Sequence, residues 1–236
     1  MILIGMAGAA GSGKDSVADY LCQRYGFVKF SFSDALYREV AAAFGLPDDS
    51  LLRDRETKEK ETPQLAMCNC ADEEFVDLVS GMFAPEDHTE FTPHSPRWVL
   101  QVWGTEYRRA QDPDYWIAQA EQWLVRVHEI TRYPEHRPQL FCNTSVRFPN
   151  EHQWIKELEG NVWHLRRDAA TRVAEHVSET PLPVLDGERE IFNNYTLDYL
   201  YKGVDQLLTS GAKFVRLEPP APMVEPQLQD DLEGRN

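Results

Sequence analysis

The sequence predicts a three-layer α/β domain, a parallel sheet with helices on both faces, and three observations predict it. The chain opens on the apolar "MILI", passes through the glycine-rich "GMAGAAGSGKDS", and enters "SVADYLCQRY", where Val17, Tyr20, Leu21 and Arg24 fall near one helical face. The alternation of strand and helix then repeats. Finally, 236 residues suffice to bury the core of one sizeable domain with an elaboration.

The elements follow in order. After the first strand and helix, "FVKFSFSDAL" gives a strand around Val28 to Phe32. "DALYREVAAAFG" reads as a helix entered at Asp34, a candidate N-cap, and left at Gly45. Residues 46 to 96 carry five prolines (Pro47, Pro63, Pro85, Pro93, Pro96) and one helix candidate, "DEEFVDLVSGMF"; they read as an insertion lying over the core. Two helices are expected next, "PRWVLQVWGTEYRRA" and "PDYWIAQAEQWLVRVHEI", the second with Pro113 near its entry. "QLFCNTSV" reads as a buried strand, "NEHQWIKELEG" as a helix ended by Gly160, and "NVWHLRR" as a further strand. The body of the domain is therefore set at residues 1 to 217. Residues 218 to 236, rich in proline and acid, are expected to form a mobile tail.

The formal net charge of -15 argues against extended binding of nucleic acid, so any recognition of anions has to be local. The four cysteines do not form two paired ligand sets; "CNC" at Cys68 to Cys70, with His88 and His94, is weighed as a metal site, and reduced thiols are the preferred reading. No basic leader precedes the apolar start and no apolar run approaches the roughly 20 residues of a membrane span. The chain is expected to be soluble, cytoplasmic and without membrane contact.

Gly8, four residues, Gly13 and Lys14 match the phosphate-binding loop, with a strand before and a helix after. Small residues allow backbone N–H groups to converge on phosphate oxygens at a positive helix end. Gly11, Ser12, Gly13, Lys14, Asp15 and Ser16 are thus expected to bind ATP, with Lys14 on the β- and γ-phosphates. The loop's usual Ser or Thr after the lysine is here Asp15, with Ser16 next, so either Asp15 or Ser16 is expected to supply the missing Mg²⁺ ligand, and Asp34, where the next strand leads into its helix, is expected to share the magnesium work.

Together these stretches resemble the deoxynucleoside monophosphate kinases of tailed bacteriophages. The likeness is carried by "GSGKDS", "KFSFSDAL", "DRETKE", "RWVLQVWGTEYRRAQDPDYWI", "SVRFPNE", "HVSE" and "NNYTLDYL", in that order over most of residues 1 to 200. The resemblance implies a P-loop kinase fold with a mainly helical substrate-side insertion. It also implies transfer of the γ-phosphoryl of ATP, with Mg²⁺, to a deoxynucleoside monophosphate for phage DNA synthesis in an infected bacterial host. By it, Arg55, Arg97 and Arg147 contact the acceptor, with Tyr37, Gly104, Thr105, Trp116, Ser145 and Glu151 in the same pocket. Lys14, Asp15, Asp34 and Arg147 carry catalysis, and Arg166 and Arg167 lead into a lid over ATP. Two departures stand out: Ser145 where the family often has an acid, and Tyr37 where it often has a lysine. Two other readings remain open, a kinase acting on a hydroxymethylated base in DNA and a non-catalytic nucleotide-binding module. The preferred base and the formation of a homodimer are not fixed by the sequence.

Overall fold

The computed structural model describes residues 1–84, 88–130, 140–168 and 181–209. Five parallel strands, β1 (Ile2–Ala7), β2 (Val28–Phe30), β3 (Leu140–Val146), β4 (Asn161–Arg166) and β5 (Arg189–Phe192), lie in the order β2-β3-β1-β4-β5. Alternate strand residues point to opposite faces, so the sheet divides the core in two. On one face Ile4, Met6, Cys142, Trp163, Leu165 and Ile191 meet α1 (Lys14–Tyr25) and α8 (Leu197–Thr209). On the other, Leu3, Phe30, Phe141 and Val162 meet α2 (Ser33–Ala43), α6 (Tyr115–Ile130) and α7 (Pro149–Glu157). The predicted three layers are present, and parallel strands bring the carboxyl ends of β1, β2 and β3 to one edge, where ligands gather in open α/β sheets.

Several expectations are corrected. Val17, Ala18 and Leu21 are the buried face of α1, with Tyr20 stacked on Tyr201 at 4.2 Å, whereas Arg24 is exposed. Helix α2 begins at Ser33 with Phe32 at its N-cap, so Asp34 lies in the first turn and does not cap it. The insertion holds α3 (Ser50–Arg53) and α4 (Glu73–Ser80), and it does more than lie over the core: Leu52, Leu65, Met67, Phe75 and Val79 are fully buried within it. "PRWVLQVWGTEYRRA" starts as α5 (Pro96–Gln101) and widens into a π-helical run, Val102–Arg109, a form that recurs at functional sites. Strand β5 and helix α8 were not foreseen. The expected tail and "HVSE" lie outside the described residues.

His88 and His94 do meet, Nε2 to Nε2 at 2.9 Å, stacked on Phe83 and Trp98 respectively, yet among the described residues neither cysteine joins them in a ligand cluster. All four cysteines are free thiols. A different polar group is buried: Glu188, just before β5, accepts hydrogen bonds from His152 of α7, from His164 of β4 at 2.7 Å and from the Leu185 N–H at 2.9 Å. It ties together the elements that carry the two halves of the site.

Candidate active site

The turn from β1 into α1 is made by glycines at positive φ, Gly8 (143°), Gly11 (76°) and Gly13 (104°), the last being the N-cap of α1 with no side-chain cap. At two of these positions space as well as conformation requires glycine. A Cβ on Gly8 would lie 2.3 Å from the Leu165 carbonyl oxygen, and one on Gly13 would lie 2.4 Å from Asn193 Nδ2. Since a backbone oxygen of β4 cannot step aside, Gly8→Ala is expected to cost roughly 1–3 kcal/mol, as residues held in unfavourable backbone regions do. Thermal melting checks this, and a melting temperature equal to the parent's would contradict it. Asn193 also donates through Nδ2 to the Ser12 carbonyl at 3.0 Å, so β5 braces the loop from behind.

Lys14 folds over the loop, its Nζ donating to the Gly8 and Ala9 carbonyls at 2.7 and 2.9 Å. Gly11, Gly13, Lys14, Asp15 and Ser16 line a cavity with Arg55, Arg167 and Tyr195. Arg167 approaches the Gly11 carbonyl at 3.4 Å. Two expected members of this group are placed differently. Ser12 is fully buried beneath the loop, and Arg166 turns to Glu190 and does not line the cavity. The segment after Arg167 that would form the lid lies outside the described residues.

A second cavity opens among α2, α5, the π-helical run, α6 and the turn into α7. Tyr37, Arg97, Gly104, Thr105, Trp116, Ser145, Arg147 and Glu151 all line it, so residues spread over more than a hundred positions of sequence are brought together. Arg55 is the exception: it pairs with Asp15 at 2.9 Å on the loop side. A trough joins the two cavities. It shares Lys14, Asp15 and Arg55 with the loop cavity, and Tyr37, Lys58, Arg97, Ser145 and Arg147 with the cleft. Five cations, Lys14, Arg55, Lys58, Arg97 and Arg147, therefore converge along one path in an acidic protein.

The walls are held by specific bonds. Trp116 is buried and donates its indole N–H to the Gly104 carbonyl at 3.0 Å, so it is a wall of the cleft as much as core. Glu39 accepts from Trp103, Arg108 and Tyr115, fixing the π-helical run to α2 and α6. Burial first, and then this bond to Glu39, pushes the Tyr115 phenol up to about 12. Glu151 is buried, accepts the backbone N–H groups of Arg147 and Phe148 at 2.7 and 3.1 Å, and pairs with Arg109. Burial pushes its carboxyl up against those partners. Its work is to shape the turn that carries Arg147. Ser145 likewise accepts from the Phe32 N–H at 2.9 Å and the Ser31 hydroxyl at 2.6 Å, tying the end of β3 to that of β2.

Asp15 and Asp34 line the same trough. Asp34 accepts the Ser31 N–H at 2.8 Å and pairs with Arg53 at 3.1 Å. Sequence reasoning gave no role to Lys58, Arg53, Arg109 or Asn193. Lys58 stands inside "DRETKE" and delivers its ammonium to the Tyr37 hydroxyl at 2.9 Å, while Arg53 lies over the Tyr37 ring at 4.2 Å. Their only signal was that they sit within or beside the quoted motifs.

No protein-family model matches the chain. A protein of Acanthamoeba polyphaga mimivirus named "Putative deoxynucleotide monophosphate kinase" is 28% identical over 214 residues, spanning 86% of this chain and 94% of that protein. Among solved structures, an unliganded sugar kinase from Janibacter sp. HTCC2649 covers 91% of this chain and 98% of its own, at 13% identity and a TM-score of 0.40, a similarity too distant to add to the fold described above.

Proposed function

We propose that the protein is a phosphotransferase that moves the γ-phosphoryl group of ATP, with Mg²⁺, to a deoxynucleoside monophosphate, and that the product supplies viral DNA synthesis. The observation that carries this reading is the continuous path from the glycine loop at Lys14, through the cationic trough, to the aromatic cleft at Trp116. A donor loop alone serves many reactions; a donor loop opening onto a second, cation-rimmed and aromatic pocket suits two nucleotides held end to end. The name of the mimivirus relative supports the same acceptor class.

In this reaction an oxygen of the acceptor monophosphate forms a bond to the γ-phosphorus as the bond to the β,γ-bridging oxygen breaks, leaving ADP. Little covalent chemistry is asked of the protein, because catalysis is positioning and charge stabilisation. Lys14 moves from the loop carbonyls to the transferring group. Arg97 and Arg147, at the rim shared by trough and cleft, fix the acceptor phosphate, for which the planar guanidinium is suited. Lys58 supplies, from the insertion, the amine that Tyr37 does not. Arg55, beside Asp15, acts on the donor side.

The donor set fits Mg²⁺, which takes hard oxygen ligands from one or two carboxylates and from substrate phosphates. Asp15 and Asp34 offer carboxylates in one trough, Ser16 adds a hydroxyl, and neither aspartate is occupied as a helix cap. When bound with ATP, the ion neutralises charge on the β- and γ-phosphates. Asp15→Asn and Asp34→Asn are accordingly expected to raise several-fold the Mg²⁺ concentration for half-maximal rate while the melting temperature holds. An unchanged magnesium dependence in both would remove them as ligands. The parent reading is tested by following ADP release from ATP with each of the four common deoxynucleoside monophosphates. Acceptor-dependent ADP is expected with at least one, and none with any would leave a binding module.

A further inference from the structure

We propose that Gln101 reads the base of the acceptor nucleotide, an inference that rests on the proposed function. The cleft has two ends. Ser33, Tyr37, Lys58, Arg97, Ser145 and Arg147 line both the cleft and the trough and so form its open, phosphate-facing rim. Gln101, Gly104, Thr105 and Trp116 line the cleft alone. A monophosphate with its phosphate at the cationic rim places its base among this inner group, against the indole of Trp116.

Most polar groups at the inner end are already engaged. The Gly104 carbonyl accepts from Trp116, the Glu151 carboxylate is taken by Arg109 and two backbone N–H groups, and Arg109 also donates to the Pro113 carbonyl at 3.0 Å. Gln101 differs. Its amide makes no hydrogen bond to any described residue, and its Nε2 is buried without a partner. Buried polar groups in folded proteins are almost always paired, and an unpaired amide nitrogen on a residue that lines a cavity calls for an explanation. A base edge supplies it. An amide sets a donor beside an acceptor, the pattern by which Gln and Asn pair with bases, and its terminal torsion is broad enough to present either atom. Gln101 ends α5 where the π-helical run begins, so the widened helix that seats Gly104 and Thr105 also fixes the amide.

The test compares the full-length protein with Gln101→Leu, which keeps the bulk and removes both polar atoms, and Gln101→Glu, which can only accept. Binding of dAMP, dCMP, dGMP, dTMP and the base-free deoxyribose 5-phosphate is measured by calorimetry, after thermal melting shows each variant folded. Gln101→Leu is expected to weaken the preferred nucleotide roughly ten- to a hundredfold, narrowing the spread among bases, while deoxyribose 5-phosphate binds as before. Gln101→Glu is expected to shift preference away from dTMP and toward dAMP, dCMP and dGMP, whose bases offer amino donors. If both variants keep the parent's order and ratios, Gln101 does not read the base. If the parent itself binds none of the four, the nucleotide kinase reading fails, and this inference with it.

Discussion

Lys14→Ala is expected to lower the rate of phosphoryl transfer by roughly 10²–10³-fold, the loss seen when one preorganised donor to a developing charge is removed. The lysine sits half-buried at the loop with its ammonium on the Gly8 and Ala9 carbonyls, outside both core clusters. Truncation exposes those carbonyls to a cavity that water can enter, so the melting temperature is expected to stay within about two degrees of the parent's. Initial rates at saturating ATP and acceptor, with melting curves alongside, measure both. A folded variant with near-normal turnover would remove Lys14 from the reaction.

Glu188→Ala is expected to be the most destabilising of the changes considered, by about 3–5 kcal/mol in all, since each buried donor left without its acceptor costs roughly 1–3 kcal/mol. The Glu188 side chain is fully buried, and its loss leaves His152, His164 and the Leu185 N–H without their acceptor. For a chain of this length the melting temperature should fall by roughly 10 °C or more. A loss of one or two degrees would mean that the group relaxes around the gap. The same cluster sets a dependence on pH. Burial depresses His164 below its ordinary value, against the pull of Glu188, so the unfolded chain takes up a proton near pH 6.5 that the folded protein declines. Burial, with the neighbouring His88, likewise holds His94 down to about 4. For Glu188, burial pushes the carboxyl up, and the Leu185 N–H and the two histidines outweigh it, leaving the group below its ordinary value. All three shifts remove stability as the medium is acidified, the histidines from about pH 6.5 downward and Glu188 only below about 4.5. A melting temperature that is flat between pH 7 and 4.5 would contradict this.

The sheet and the helices that flank it were legible because their signals are local: apolar runs of strand length, helical spacing, and glycines at the loop. Strand β5 and helix α8 were less so, since "REIF" is only four residues and Leu200, Val204 and Leu207 follow a polar stretch. The insertion reads as polar and proline-rich, but its few apolar residues, Leu52, Leu65 and Phe75 among them, are the ones that enter the core. The cleft-lining residues were recoverable through resemblance to a family, and not through spacing, because they come from distant segments. The resemblance named an arginine without its surroundings: Arg55 pairs with Asp15 beside the loop, while Lys58, three residues on, reaches Tyr37 and lines the cleft. Side-chain direction within an irregular insertion follows from tertiary contacts that no periodicity encodes.

The central claim is that the trough carries a phosphoryl group from ATP to a nucleoside monophosphate. Incubating the protein with Mg²⁺, γ-labelled ATP and each deoxynucleoside monophosphate, and separating the products, tests it most directly. The account predicts label in the β-phosphate of a deoxynucleoside diphosphate, formed one for one with ADP. Label appearing only in inorganic phosphate, or remaining wholly in ATP with every acceptor, would contradict it.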